Sequence, residues 1–125
     1  MNKYTELSDF EINKKIFILD CKENGIQYKN IEQGKGRFSF FSRRLKAQIK
    51  YDNEEEWVET EWVDAFSNQT AMNLAEVNKI AMIPKDGIWQ CGSGWNVAED
   101  KKLTRAICLA YLLMKDADNE NNNNC

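Results

Sequence analysis

The sequence predicts an α+β fold, with a small antiparallel sheet of about four strands layered between an N-terminal helix, a short middle helix and a buried C-terminal helix. Three observations support this class. The run 100–114 is apolar around most of a helical circumference, which indicates a helix covered on more than one side. The run 45–51 alternates apolar and polar residues, as a half-buried strand does. The run 80–91 has two short apolar stretches separated by a turn.

The first predicted element is a helix that begins after Ser8. Ser8 and Glu11 have the spacing of a capping box, and Leu7 stands where the hydrophobic staple residue belongs. Apolar residues then follow at roughly helical spacing up to Leu19, and Gly25 is a natural end. The run 16–19 alone also suits a strand, so the helix depends on the longer pattern.

Two adjacent strands, 37–42 and 45–51, are predicted after the glycine turn 34–36, and a hairpin is the simplest way to join them. The acidic run 52–56 that follows is a solvated turn. The segment 57–63 suits either a third strand or a short helix, and its periodicity leaves both open.

The second half of the chain is predicted to hold a helix, a hairpin and the closing helix. Ser67 caps a short helix over 69–78. Strands at 80–84 and 88–91 pair across the turn 85–87, and the glycine-containing run 92–96 is a loop. Asp100 is a good N-cap for the closing helix. Residues 1–117 are thus expected to form a single domain, and the polar run 118–125 is expected to be a disordered tail.

Composition restricts the classes of function. The net charge is −3 and there is no long basic block, which argues against a general binder of duplex DNA. The four cysteines form no C-x-x-C pair and the chain has no histidine, so neither a metal site nor a cofactor is expected. The closing apolar run is shorter than the roughly 20 residues that span a membrane, so no membrane partner is expected. The N-terminus lacks the apolar core of a signal peptide, which predicts a cytoplasmic protein with reduced thiols.

An enzyme is the least favoured class, and no catalytic residues are predicted. Without histidine, a cysteine or serine nucleophile lacks its usual base. The acidic run 54–56 lacks supporting carboxylates at the spacing of a metal site or a two-carboxylate hydrolase. A hydrolase therefore ranks third among the functions considered.

The candidate ligand-binding residues are basic or aromatic and lie near predicted turns or a helix start. Arginine forks suit phosphate and carboxylate groups, and a tryptophan beside glycines can stack on a base or fill a partner's pocket. Each also has a purely structural explanation, such as a solvated turn, a protected strand edge, a salt bridge or core packing. The candidates are Lys35, Arg37, Arg43, Arg44, Trp57, Trp95 and Arg105.

Three blocks of the sequence, in this order, resemble the NinX-like proteins of enterobacterial phages. They are Y-T-E-L-S-D-F-E-I-N at 4–13, A-F-S-N-Q-T-A-M-N-L-A-E-V-N-K-I at 65–80 and K-L-T-R-A-I-C-L-A-Y-L-L-M at 102–114. The related phage α/β/α-sandwich domains have the same order of elements. The resemblance implies an α+β phage or prophage accessory protein in the host bacterial cell, and it transfers no catalytic residues.

The first functional hypothesis is a non-enzymatic phage accessory protein that works by binding. It would counter host defence by sequestering a small anionic ligand, such as a signalling nucleotide, or by inhibiting a bacterial defence protein. The alternative is a nucleic-acid-binding regulator of phage development, which needs eight basic residues on one face: Lys14, Lys15, Lys35, Arg37, Arg43, Arg44, Lys46 and Lys50. A homodimer is compatible with exposed aromatics and a strand edge at 37–42.

Overall fold

The computed structural model describes the backbone of residues 3–123 and the side chains of residues 3–118. Within that range the α+β class is confirmed, but the strands form two three-stranded antiparallel sheets instead of one sheet. In chain order the elements are α1 (Asp9–Glu23), β1 (Ile26–Gln33), α2 (Ser39–Ser42), β2 (Leu45–Tyr51), β3 (Val58–Glu59), α3 (Asn68–Asn78), β4 (Ala81–Lys85), β5 (Ile88–Ser93), β6 (Asn96–Asp100) and α4 (Leu103–Asn123).

The chain divides into two compact units. Leu7–Ala65 form the N-terminal unit, and the described residues of Met1–Glu6 and Phe66–Cys125 form the C-terminal unit. The N-terminal unit contains α1 and the sheet β1–β2–β3, whereas the C-terminal unit contains α3, the sheet β4–β5–β6 and α4. Helix α1 packs on the sheet of the N-terminal unit, α4 packs on the sheet of the C-terminal unit, and α3 packs on α4.

In the N-terminal unit, local capping explains where α1 begins. The Ser8 hydroxyl accepts a hydrogen bond from the Glu11 amide at 3.2 Å, as the capping pattern predicts. Gly25 takes a positive φ of 65° after the helix and turns the chain into β1. Strand β1, absent from the sequence prediction, then pairs antiparallel with β2 from Ile26↔Tyr51 to Gln33↔Leu45.

The predicted strand over 37–42 is wrong, because this segment contains the single helical turn α2. The Phe38 carbonyl accepts hydrogen bonds from the Phe41 and Ser42 amides, and the Arg43 amide donates to Ser39. Phe38 and Phe40 stack on each other with ring centroids 5.7 Å apart. The alternation of Phe38 and Phe40 in the sequence resembles one face of a strand. In the structure the same residues lie in a local helical turn, where their aromatic rings cluster.

The core of the N-terminal unit lies between α1 and one face of the sheet. Phe17 and Cys21 of α1 pack with Leu45 and Ala47 of β2. Because successive strand residues point to opposite faces, the even-numbered residues of β2 point to the outer face. The segment 57–63 resolves as an extended segment: β3 pairs with β2 through Gln48↔Glu59, and Val63 bridges to Leu45.

In the C-terminal unit, the predicted middle helix, hairpin and closing helix are confirmed as α3, β4–β5 and α4. Ser67 caps α3 through the Thr70 amide at 3.3 Å. The predicted loop 92–96 instead carries the turn into β6, which pairs with β5 from Trp89↔Asp100 to Ser93↔Asn96. A strand there was not predicted, because Gly92 and Gly94 made the segment look like a loop.

The closing helix α4 is the buried element of the C-terminal unit. Its side chains from Ala106 to Leu112 are all buried, and it contacts β5, β6 and α3. The Asp100 carboxylate accepts a hydrogen bond from the Lys102 amide at 2.9 Å, just before the first turn. The helical backbone extends to Asn123 and so includes part of the predicted tail 118–125. Residues 124 and 125 lie outside the described part of the chain.

Candidate functional site

The outer face of the sheet β1–β2–β3 gathers cations and tryptophans. We call it the cation–tryptophan face, and it consists of Lys29, Arg44, Lys46, Lys50, Trp57 and Trp62. Pleating puts the even-numbered residues of β2 here, opposite the core residues Leu45 and Ala47. The Val63–Leu45 bridge and the β3 pairing then bring a tryptophan to each end of β2.

Each tryptophan has two cations over its ring. The Lys29 Nζ lies 4.1 Å from the centroid of the Trp57 ring, and the Lys50 Nζ lies 5.8 Å from it. At the other end of β2, the Arg44 Cζ is 4.2 Å and the Lys46 Nζ 4.8 Å from the centroid of the Trp62 ring. All four distances fall within the roughly 6 Å over which a cation is attracted to an aromatic face.

Arg44 is the most constrained of these cations. Its guanidinium lies between the rings of Trp62 and Phe41, the latter with its centroid 5.0 Å away. Its Nε is buried and has no hydrogen-bond partner within the described part of the chain. Buried polar atoms in native proteins normally have a partner, so this N–H is an exception within the described residues.

The glycine turn holds Arg44 in this position. The Gly34 amide donates to the Arg44 carbonyl at 2.9 Å. A Cβ on Gly34 would lie 2.1 Å from the Phe41 carbonyl oxygen and 2.7 Å from the Arg44 Cγ, so only glycine fits beside them. The first glycine of this turn thus makes room for the arginine side chain.

Unlike Arg44, the arginines Arg43 and Arg105 form ion pairs with carboxylates. Arg43 makes a two-pronged contact with Asp64 through Nε at 3.0 Å and Nη2 at 2.9 Å. Arg105 donates through Nε to Asp100 at 3.0 Å and through Nη2 to the Thr5 carbonyl at 2.9 Å. Both therefore anchor the chain, whereas Arg44 forms no ion pair with any residue that the structure describes.

The remaining predicted candidates separate into three places. Lys35 and Arg37 are exposed in the loop before α2, and Trp57 belongs to the cation–tryptophan face. Trp95 lies in the C-terminal unit, 100% exposed, at the turn between β5 and β6. It borders a cavity of about 500 Å³ that is also lined by Thr5, Asn96, Val97, Ala98, Glu99 and Leu113.

The eight-residue basic face that the sequence required for nucleic-acid binding does not form as predicted. Lys14 and Lys15 belong to α1, which packs on the opposite side of the sheet from Lys46 and Lys50. Arg43 is held by Asp64. The face keeps only three members of that set, and gains Lys29 in their place.

A small hollow lies between the two tryptophans on the same face. Its volume is about 230 Å³, and most of the residues that line it are polar: Asn30, Glu32, Lys46, Ala47, Gln48 and Glu59. A β-bulge between Lys29 and Glu32 creates it, with Asn30 at a positive φ of 54°. Glu59 pairs with Lys46 at 3.5 Å, so the face is not uniformly positive.

Sequence reasoning overlooked Lys29 and Trp62 as site residues, and it named Lys46 and Lys50 only for the basic face of the nucleic-acid alternative. The alternation of β2 was visible and placed Lys46 and Lys50 on a single face. Lys29 could not be included, since β1 itself was not predicted. Trp62 could not be placed from sequence, because its position depends on the pairing of Val63 with Leu45.

Burial disfavours the thiolate form of two cysteines, Cys21 and Cys91. Burial raises the pKa of the Cys91 thiol to about 11, and burial followed by the charge of Asp20 raises the pKa of Cys21. The reactive species is the thiolate, which a raised pKa disfavours at neutral pH.

Over the described part of the chain, no three His, Cys, Asp or Glu side chains cluster as metal ligands would. No helix found there has the length and apolar character needed to cross a bilayer.

Comparisons with protein-family models, with curated proteins and with solved structures find no match to this chain. The resemblance to the NinX-like phage proteins therefore stays a prediction from three blocks of sequence.

Proposed function

We propose that this chain is a non-enzymatic binding protein whose cation–tryptophan face takes an anionic ligand with a flat aromatic group, in the first instance a nucleotide. The single observation that carries the proposal is Arg44, whose guanidinium lies between two aromatic rings and forms no ion pair with a described carboxylate. An arginine ordered by stacking loses little conformational freedom when it binds a phosphate through its fork.

The interaction energies favour replacement of a lysine by a nucleotide base on the tryptophan ring. A cation over an exposed aromatic ring contributes only about 0.5–1 kcal/mol. A base stacked on the same ring contributes about 1–3 kcal/mol. An incoming nucleotide would therefore displace the flexible Lys46 from the Trp62 ring, and the ammonium group would remain close enough to pair with the phosphate.

The resemblance to phage accessory proteins supplies a setting for this activity. In an infected bacterial cell, a protein that sequesters a signalling nucleotide would prevent the host from responding to infection. The nucleotide chemistry of the site is argued from the contacts of Arg44 and Trp62, and the cellular role depends on the resemblance.

Calorimetry and thermal shift with a panel of linear and cyclic mononucleotides and dinucleotides test the proposal. A ligand that binds the folded state at about 100 times its Kd adds about 2.7 kcal/mol of stability, which raises Tm measurably. Arg44→Ala and Trp62→Ala should remove the shift, and Trp95→Ala is the matched control that should retain it. If no nucleotide gives heat or raises Tm, the proposal is wrong.

The complete exposure of Trp95 favours a second candidate function, inhibition of a bacterial defence protein. Tryptophans at the centre of interfaces often dominate binding energy, and this one projects from a hairpin turn beside a cavity. A phage-challenge assay in cells that express the chain separates the two. For an inhibitor, Trp95→Ala abolishes the effect and Trp62→Ala does not, whereas a nucleotide-binding protein gives the reverse result.

A further inference from the structure

The cation–tryptophan face repeats the same arrangement twice. At each end of β2 a tryptophan ring lies within reach of two basic side chains, with Lys29 and Lys50 at Trp57 and Arg44 and Lys46 at Trp62. A single tryptophan with two basic side chains over its ring can be an ordinary solvated surface cluster. Two on one face of one sheet give a pair of matching positions for ligand groups of the same kind.

The spacing of the two positions exceeds the reach of one nucleotide. Lys46 and Lys50 are four residues apart on β2, so their Cα atoms lie about 13 Å apart along the strand, and each lysine reaches a different tryptophan ring. Stacked nucleotides advance by about 3.4 Å each. A ligand that engages both tryptophans must therefore contain several nucleotides in a row.

We propose that the cation–tryptophan face binds single-stranded nucleic acid, with one base stacked on Trp57, another on Trp62 and the intervening backbone over β2. This inference rests on the proposed function and names its ligand. Sheet faces that carry aromatic rings and cations suit unpaired bases, because a base within a duplex cannot turn its flat face to a side chain.

The charges on the face agree with this occupant. Lys29, Arg44, Lys46 and Lys50 follow the path between the rings, and the acids Glu32 and Glu59 border it. The side-chain amides of Asn30 and Gln48 line the hollow at the bulge, where the Asn30 Nδ2 donates to the Gln48 Oε1 at 2.6 Å. We expect the acids to limit affinity, and the positive balance of the path to make binding dependent on salt.

The test measures fluorescence anisotropy of labelled oligo-dT and oligo-U, from the mononucleotide to about 16 nucleotides, against the whole chain. We expect affinity to rise at least tenfold between one nucleotide and about four, because a second stacking position is then engaged. Preference for dT or for U tells whether the ligand is DNA or RNA. A duplex of the same length should bind more weakly.

Variants test each position separately. Trp57→Ala and Trp62→Ala should each weaken oligonucleotide binding about tenfold, with Val77→Ala, at an exposed apolar residue of α3, as the control that leaves it unchanged. Trp→Phe at either site should keep most of the affinity, whereas Trp→Leu should not, because leucine fills space without stacking. Glu59→Gln releases Lys46 from its ion pair and should tighten binding by about twofold to fivefold, a gain that general damage to the fold cannot produce.

The outcomes distinguish this inference from the proposed function. If mononucleotides bind at Arg44 and Trp62 but affinity does not rise with length, the single-strand inference is wrong and the nucleotide proposal stands. Equal or tighter binding of duplex also overturns the inference. If neither mononucleotides nor oligonucleotides bind, both are wrong.

Discussion

At the scale of single residues, Asn13 shows how one buried side chain can order several backbone segments. It is 0% exposed, and its Nδ2 donates to the carbonyls of Arg43 at 2.9 Å and Val63 at 2.8 Å. Its Oδ1 accepts from the Ala65 amide at 2.9 Å. These bonds tie α1 to both ends of the segment that carries the cation–tryptophan face.

Replacing Asn13 by Ala should lower the free energy of unfolding by about 2–4 kcal/mol, because three hydrogen bonds are lost in a buried position. Urea unfolding monitored by circular dichroism measures the loss. Asn73→Ala, at an exposed site of α3, is the control and should change stability by less than about 0.5 kcal/mol. Equal effects of the two substitutions would contradict the role given to Asn13.

The neighbouring arginines Arg43 and Arg44 should separate stability from binding. The side chains of Arg43 and its partner Asp64 are only 18% and 21% exposed, so Arg43→Ala leaves a largely covered carboxylate without that ion pair. We expect a loss of about 2 kcal/mol in unfolding free energy and little change in ligand affinity per folded molecule. Arg44→Ala should mainly weaken ligand binding. Parallel urea titrations and calorimetry test this, and a larger binding defect in Arg43→Ala than in Arg44→Ala would refute it.

At the scale of elements, the segment from Gly34 to Arg44 is organised by steric fit more than by regular secondary structure. Gly34→Ala would place a methyl group 2.1 Å from the Phe41 carbonyl oxygen, so the turn must shift and carry Arg44 with it. We expect a cost of about 1–3 kcal/mol and loss of nucleotide binding.

Gly94→Ala is the matched control for that substitution. Gly94 has a positive φ of 61° but nothing within 4 Å of an added Cβ. Alanine there should therefore incur only the backbone penalty of about 1–2 kcal/mol, with ligand affinity unchanged. Thermal unfolding and calorimetry of both variants make the comparison. Retained ligand binding in Gly34→Ala would mean that the turn does not position Arg44.

The elements also show which parts of the fold are readable from sequence. Capping serines, apolar periodicity and glycine ends are local, so α1, α3 and α4 could be predicted from short windows. The hairpin β4–β5 was predictable for the same reason, since its turn 85–87 is marked by Asp86 and Gly87. Strand β1 was missed because the alternation of Ile26 and Tyr28 is interrupted before Ile31, at the bulge, and because its partner strand lies beyond the 34–44 segment.

At the scale of the whole molecule, the Tyr4 phenol and the Cys91 thiol should make the free energy of unfolding fall at alkaline pH. Burial, then the hydrogen bond to Asp116, raises the pKa of Tyr4 to about 12 from 10.0, and burial raises that of Cys91 to about 11 from 9.0. The folded chain thus holds these protons more tightly than the unfolded chain. The contribution is complete below the unfolded pKa values and is lost as pH rises through the folded ones.

Unfolding free energy should therefore decline from about pH 9 to about pH 12. Urea unfolding at a series of pH values measures the decline. Tyr4→Phe removes the phenol, so its curve should be flatter than that of the unmodified chain between pH 10 and pH 12. Tyr51→Phe, at an exposed tyrosine, is the control and should follow the unmodified chain. Identical slopes for all three proteins would contradict the assignment to Tyr4.

The candidate site, like the fold, could be predicted from sequence only in part. Basic and aromatic residues near turns were recognisable from sequence, and this led to Arg44 and Trp57. Sequence could not distinguish Arg44 from Arg43, because only the fold places Asp64 beside one of them. Nor could it bring Trp62 and Lys29 into the site, since both depend on strand pairing.

The sequence by itself determined the α+β class, the three long helices and the hairpin β4–β5, since these follow from capping, periodicity and turn residues within a few positions of one another. Only the tertiary structure decided that the strands form two sheets, that 37–42 turns instead of extending, and that two tryptophans share one face with four cations. Those features depend on pairing and packing between residues far apart in the chain, which no local pattern specifies.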